Sequence, residues 1–258
     1  MELELKGKIA VVGGGSQGIG YGIARVLAGE GATVAISARR EADLEGAAKR
    51  LREETGATIL TIPADCRKAE DCSRVVATVK AAFGGVDILV NNDGAPPMGE
   101  LTSFDDTAWS KAVEQNLMYV VRMAREVVPL MRERGGGSIL NVTALSALQP
   151  MPQFGLSVAT WAAVIGYAKT LSLEVAASNI SVNTICPGYV DTGRLDKALG
   201  TGTDGAHAKQ RLAEEVPMKR IGQPEDIGNL VALLVSGKGR YITGTAIQVD
   251  GGSLRAVR

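Results

Sequence analysis

Short apolar, β-branched runs alternate along the chain with longer stretches in which apolar residues recur every three or four positions. The short runs predict strands over Lys8–Val12, Thr33–Ala38, Thr58–Pro63, Asp87–Asn91, Ser138–Thr143, Ile180–Ile185 and Thr245–Val249. The longer stretches predict helices over Gln17–Gly29, Glu41–Thr55, Lys68–Phe83, Asp106–Arg134, Leu156–Ala177 and Pro224–Ser236. Runs such as Ile9-Ala10-Val11-Val12 lack the polar alternation of a half-exposed strand. A parallel sheet covered on both faces needs strands of this kind. Strand–helix alternation then predicts right-handed βαβ units and a doubly wound parallel α/β sheet. No linker or low-complexity segment divides the chain, so a single domain over residues 1–258 is expected.

One segment breaks the rhythm. Gly193–Gly205 contains four glycines after a strand end. It predicts a loop, continuing into a short helix over Ala206–Glu215. Ligands of open α/β sheets bind at the carboxyl ends of strands. Residues 193–215 are therefore placed to form a lid, the alternative being a plain surface loop. The segment 193–205 has no cluster of cations, so it does not advertise a strongly anionic substrate.

Composition narrows the classes. Hydrophobic residues make up 45% and charged residues 22%, as in an ordinary globular protein. Lys+Arg and Asp+Glu are both 28, so bulk charge favours neither a nucleic acid nor a membrane partner. The opening MELELKGK lacks the apolar core of a signal peptide, and no uninterrupted apolar stretch approaches a membrane span. Cys66, Cys72 and Cys186 form no CxxC pair, and His207 is the one histidine. No metal site and a reducing cytoplasmic setting are expected.

The first predicted strand runs into Gly13-Gly14-Gly15-Ser16-Gln17-Gly18-Ile19-Gly20 and then a helix. Glycines permit a tight turn and a close backbone approach to a pyrophosphate, and the helix start offers free N–H groups. The spacing Gly14-x-x-x-Gly18-x-Gly20 resembles that of the short-chain dehydrogenase/reductase family. Asp65-Cys66 after strand three, Asn91-Asn92-Asp93-Gly94, Asn116 within Gln115-Asn116-Leu117, Pro187-Gly188-Tyr189-Val190-Asp191-Thr192 and Asp250-Gly251-Gly252 resemble further landmarks of that family in order. The 3-oxoacyl-carrier-protein reductase-like branch is the one they resemble most.

The resemblance implies a Rossmann-type domain and a dinucleotide held by Gly14, Ser16, Gln17, Gly18, Ile19 and Gly20. It implies adenine contacts at Asp65 and Cys66, and further cofactor contacts at Asn92, Asp93, Gly94, Pro187, Gly188 and Thr192. It also implies a small-molecule substrate and a homo-oligomer, a tetramer or dimer. Two positions depart from the pattern: Gly13 stands where the family usually has Thr, and Asp93 where it has Ala.

Strand two ends Ser37-Ala38-Arg39-Arg40 with no acid to hold a ribose 2′-hydroxyl. Arginine suits a phosphate by charge and fork geometry. Arg39 and Arg40 therefore favour NADP over NAD.

The family's chemistry uses a Tyr-x-x-x-Lys pair and a Ser. Aligned through Val164-Ile165-Gly166, those positions fall on Ser157, Trp161 and Ala144. Asn116 alone of the usual four remains. A substitute relay has candidates in Thr143, Ser146, Gln149, Gln153, Ser157 and Tyr189, with Ser157 and Ser146 preferred. Each also reads as a capping or packing group. Trp161 reads either as a stacking surface or as packing, and Cys186 as a small buried hydrophobe. Three functions stay open: an NAD(P)-dependent oxidoreductase with an atypical proton relay, a non-redox enzyme on the same scaffold, and a catalytically silent dinucleotide-binding subunit.

Overall fold

The computed structural model describes residues 2–92, 94, 96–200 and 202–256. Seven apolar runs form strands β1 (Ile9–Gly13), β2 (Thr33–Ala38), β3 (Ile59–Pro63), β4 (Ile88–Asn91), β5 (Gly137–Val142), β6 (Ile180–Pro187) and β7 (Ala246–Val249). They make one sheet in the order β3-β2-β1-β4-β5-β6-β7, and every pairing is parallel. The order reverses between β1 and β4, where Ala10, Val11 and Val12 face Ile88, Leu89 and Val90. Such a reversal opens a crevice at the carboxyl ends of the two strands.

Successive strand side chains point to opposite faces, and β1 divides two cores accordingly. Ala10 and Val12 pack with Ile23 and Leu27 of α1 (Gly18–Gly29), Leu44 and Leu51 of α2 (Glu41–Thr55), and Ile227 and Val231 of α9 (Pro224–Val235). Val11 packs with Val75 and Val79 of α3 (Ala69–Phe83), Met123 and Val127 of α5 (Tyr119–Glu133), and Val164 and Ala168 of α6 (Gly155–Val175). This two-sided burial explains why the strands read as continuous apolar runs. At the amino ends of the strands, Arg134 clamps the buried Asp87 at 2.9 and 3.0 Å, and Asp87 also accepts from the Ile9 N–H at 2.9 Å.

The helix expected over Asp106–Arg134 is not continuous. It comprises α4 (Asp106–Val113), a π-helical turn at Glu114–Met118, and α5. π-Turns mark a local insertion in the ladder and recur at functional sites, and this one carries Asn116.

The loop expected over Gly193–Gly205 is also corrected. The segment forms α7 (Gly193–Leu199) and the start of α8 (Gly202–Glu215). Local chemistry accounts for the helices. The Thr192 hydroxyl caps α7 by accepting from the Leu195 N–H, and Lys209 ties α8 to Asp191 and Asp196. Gly200 and Gly202 adopt positive φ and serve to separate the two helices rather than to abolish them. Among the described residues, the segment Gly155–Ser178 is long and apolar enough to cross a membrane by length and composition, but it contains α6, whose buried face packs into the domain.

Candidate dinucleotide and substrate site

The loop between β1 and α1 is shaped by what its glycines leave out. Gly14 and Gly18 have φ of 59° and 57°, where a side chain is strained. A Cβ on Gly14 would overlap the Asn92 carbonyl oxygen, and one on Gly20 would overlap the Gly14 oxygen. A Cβ on Gly18 would stand 3.2 Å from Thr192 Cγ2. The loop is therefore pressed between the ends of β4 and β6, with Asn92 Nδ2 donating to the Gly13 oxygen at 3.3 Å. At the start of α1 the Gln17 side chain caps nothing, and the first turn has no acid. Ser16 is buried, Gln17 exposed and Ile19 half-buried. A bare backbone cradle at a positive helix end fits a pyrophosphate.

The two arginines after β2 part company. Arg40 precedes α2 and its guanidinium pairs with Asp43 in the first turn. Arg39 is exposed, and its charge reaches Asp65 across the crevice rim. Asp65 is held mainly by Arg67, whose Nε and Nη2 donate to it at 2.8 and 2.6 Å. Those hydrogen bonds place its carboxyl below the ordinary carboxylate range. Cys66 is buried beside it, and its carbonyl accepts from the Cys72 thiol at 3.3 Å.

At the opposite end of the crevice, Asn116 is buried and its Nδ2 donates to Thr160 Oγ1 at 2.8 Å. Thr160 donates onward to the Leu156 carbonyl at 2.7 Å. Asn116 Oδ1 is buried with no hydrogen-bond partner among the described residues. A Cβ on Gly94 would overlap that same oxygen, so the loop after β4 lies directly against it. Ser157, Thr160 and Trp161 are all buried on α6, and Trp161 is only 7% exposed. Ser146 is buried in the short turn at Leu145–Ala147 after β5. Neither the Ser146 nor the Ser157 hydroxyl has a protein partner among the described residues. Thr143 does: it bonds the Ile185 carbonyl at 3.2 Å and contacts Cys186 Sγ at 3.3 Å.

Pro187 ends β6, and the Gly188 N–H donates to the Val249 carbonyl at 3.0 Å. A Cβ on Gly188 would stand 2.8 Å from Asp250 Cα, which explains the glycine at the crossing with the Asp250-Gly251-Gly252 turn.

Residues 14–253 match the family model described as enoyl-(acyl carrier protein) reductase. The chain belongs to the short-chain dehydrogenase/reductase family. Dehydrogenase/reductase SDR family member 4 of Bos taurus is 36% identical over 251 residues, covering 97% of this chain and 88% of its own. The 3-oxoacyl-acyl-carrier-protein reductase of Chlamydia muridarum is 34% identical, covering 96% and 98%. The crystal structure of L-sorbose reductase from Gluconobacter frateurii, complexed with NADPH and L-sorbose, superposes with a TM-score of 0.96 at 37% identity, covering 100% of both chains.

Within this family fold, Gly14 and Gly18 meet Asn92 and Thr192 at the ends of β4 and β6, and Asn116 meets Gly94 and Thr160. Asp93 lies outside the described residues. His207 falls on α8 at an exposed position. Three residues escaped sequence reading. Tyr119 is fully buried, and a Cβ on Gly13 would overlap its hydroxyl, which explains the glycine at position 13. Thr160 is the acceptor for Asn116. Arg194 donates from Nη1 to the Gly94 carbonyl at 3.1 Å, across 100 residues of sequence. The departure at Gly13 was the visible signal for the first. The other two depend on tertiary contacts with no local pattern.

Proposed function

We propose that the protein is an NADP-dependent oxidoreductase acting on a carbonyl or alcohol substrate through an atypical proton relay. The observation that carries this reading is the cradle at Gly14–Gly20, where added Cβ atoms would overlap backbone oxygens beside an uncapped helix start. Exposed Arg39 after β2, with no acid at that strand end, favours the 2′-phosphate of NADP. The L-sorbose reductase holding NADPH and L-sorbose supports both cofactor and substrate class.

A bound dinucleotide would supply the hydride. In this reading the N–H groups from Gly14 to Gly20 hold its pyrophosphate, with Ser16, Gln17 and Ile19 along the rim. Arg39, flanked by Arg40, takes the 2′-phosphate, and Asp65 and Cys66 border the adenine. Asn92, Gly94, Pro187, Gly188 and Thr192 line the nicotinamide side. Helices α7 and α8, residues 193–215, form the cover.

By the family resemblance, Ser157, Trp161 and Ala144 occupy the usual Tyr, Lys and Ser positions. Ser157 is a buried residue whose hydroxyl has no protein partner among the described residues, so it can donate a hydrogen bond to a substrate oxygen. Ser146 offers a second donor on the facing turn, and Asn116 presents an unpaired buried oxygen suited to an ordered water. Solvent then restores the proton. Trp161 fills volume where the family's ammonium would stand and provides no charge to make a neighbouring hydroxyl acidic. A tuned acid–base group typically contributes about 10²–10⁴ in rate, so slow turnover follows.

The same replacements favour a second reading, a silent dinucleotide-binding subunit. The test is loss of NADPH absorbance across a panel of ketoses, ketones and oxo acids, with Ser157→Tyr/Trp161→Lys beside the parent chain. Measurable turnover by the parent, raised by the double substitution, supports the proposal. Tight NADPH binding with no turnover by the parent supports the silent reading. Turnover without dinucleotide supports a non-redox enzyme.

A homo-oligomer fits the face of α6 that exposes Ala162, Ala163, Gly166 and Leu173. A reducing cytoplasmic setting fits three buried cysteines, none of them in a disulfide among the described residues.

A further inference from the structure

Arg194 lies in the first turn of α7, two residues beyond Thr192, whose methyl group borders Gly18 of the cradle. Its guanidinium reaches back over the crevice to the Gly94 carbonyl. Gly94 in turn rests on the Asn116 carboxamide. The cation therefore sits on the loop after β4, beside the dinucleotide cradle and one contact from Asn116.

No acidic side chain is paired with it among the described residues. The two acids flanking it in sequence are already engaged, because Lys209 Nζ donates to Asp191 at 2.5 Å and to Asp196 at 3.1 Å. Arg194 is exposed to solvent as a residue, and the protein beside its guanidinium desolvates it in part. That desolvation lowers its pKa from the ordinary arginine value, and it stays protonated at any working pH. A partly desolvated cation gains from a counter-ion. The Gly94 carbonyl engages one of five N–H donors, so a planar fork remains for a carboxylate or phosphate.

We infer that Arg194 receives the carboxylate of the substrate, so that the substrate is an oxo acid or hydroxy acid. This rests on the oxidoreductase reading above and replaces the expectation, drawn from the absence of a cation cluster, that the cover advertises no anionic substrate. Substrate binding would give the fork a counter-ion and fix the distance between the carboxylate and the carbonyl carbon. Asn116, Ser157 and Ser146 would then lie on the reacting side.

Saturation-transfer NMR on the whole protein, with and without NADP, tests this. The probes are pyruvate and 2-oxoglutarate and their neutral amides. The expected result is that at least one acid binds about tenfold more tightly than its amide. Arg194→Met should abolish that preference, Arg194→Lys should keep part of it, and NADPH affinity should stay within about twofold in both. Circular dichroism and melting show whether each variant is folded. Equal binding of acids and amides, no binding of any acid at millimolar concentration, or a preference that survives Arg194→Met would overturn the inference. A tenfold loss of NADPH affinity in Arg194→Met would overturn it too, because the fork would then serve a cofactor phosphate. Failure of the unaltered chain to bind NADPH is a failure of the oxidoreductase reading instead, and the acid preference is still read in the cofactor-free protein.

Discussion

Asn116 Nδ2 donates to Thr160 Oγ1 at 2.8 Å, and this single hydrogen bond joins the π-helical turn to α6 one residue before Trp161. Both partners are buried. Thr160→Val keeps the shape and removes the acceptor, leaving a buried amide donor unsatisfied. The expected cost is about 1–3 kcal/mol, read as a lower midpoint in chemical denaturation. Asn116→Ala in the Thr160→Val background removes the stranded group, so the double variant should lose less than the sum of the two single variants.

Strand and helix types were legible because burial on both faces forces continuous apolar strands, and Gly14, Gly18 and Gly20 were legible because φ and close approach exclude other residues. The π-turn at Glu114–Met118 was not, since inserting one residue into a helical ladder leaves the apolar period nearly unchanged. The four glycines of 193–205 argued for a loop. Thr192 and Lys209 instead stabilise helices on either side of the Gly200 and Gly202 break. Arg194 carries no local signal in the sequence, because its partner, Gly94, is 100 residues away.

Gly20→Ala would press a methyl group into the Gly14 carbonyl and to within 2.6 Å of Asn92 Nδ2. The Gly14 carbonyl belongs to the turn that would hold the pyrophosphate, and Asn92 braces that turn through the Gly13 oxygen. NADPH affinity should fall by more than about tenfold, measured by calorimetric titration. A melting curve taken in parallel separates this loss from unfolding.

Among the described residues Arg39 makes no ion pair, whereas Arg40 is engaged by Asp43. Arg39→Glu should cut the preference for NADPH over NADH by at least about tenfold. Arg40→Glu should change it less. Dissociation constants for both dinucleotides in each variant check the order.

Asp226 joins acid stability to the start of α9. Arg220 Nη1 donates to it at 2.6 Å and the Gln223 N–H at 2.8 Å, and these bonds hold its pKa below the ordinary value. Asp65, through Arg67, and Asp71, through the Asp65 N–H, are lowered in the same direction. The unfolded chain therefore takes up these protons at higher pH than the folded one. Their contribution is complete above the unfolded value of about 3.9 and is lost as pH falls through the lower folded values. Denaturation midpoints at fixed ionic strength should show this decline, and Asp226→Asn should make it shallower.

The most direct test of the central claim is calorimetric titration of the purified protein with NADPH. The account predicts saturable binding at one site per chain, tighter than for NADH and weakened by Gly20→Ala. Absence of saturable binding by either dinucleotide at millimolar concentration would contradict it.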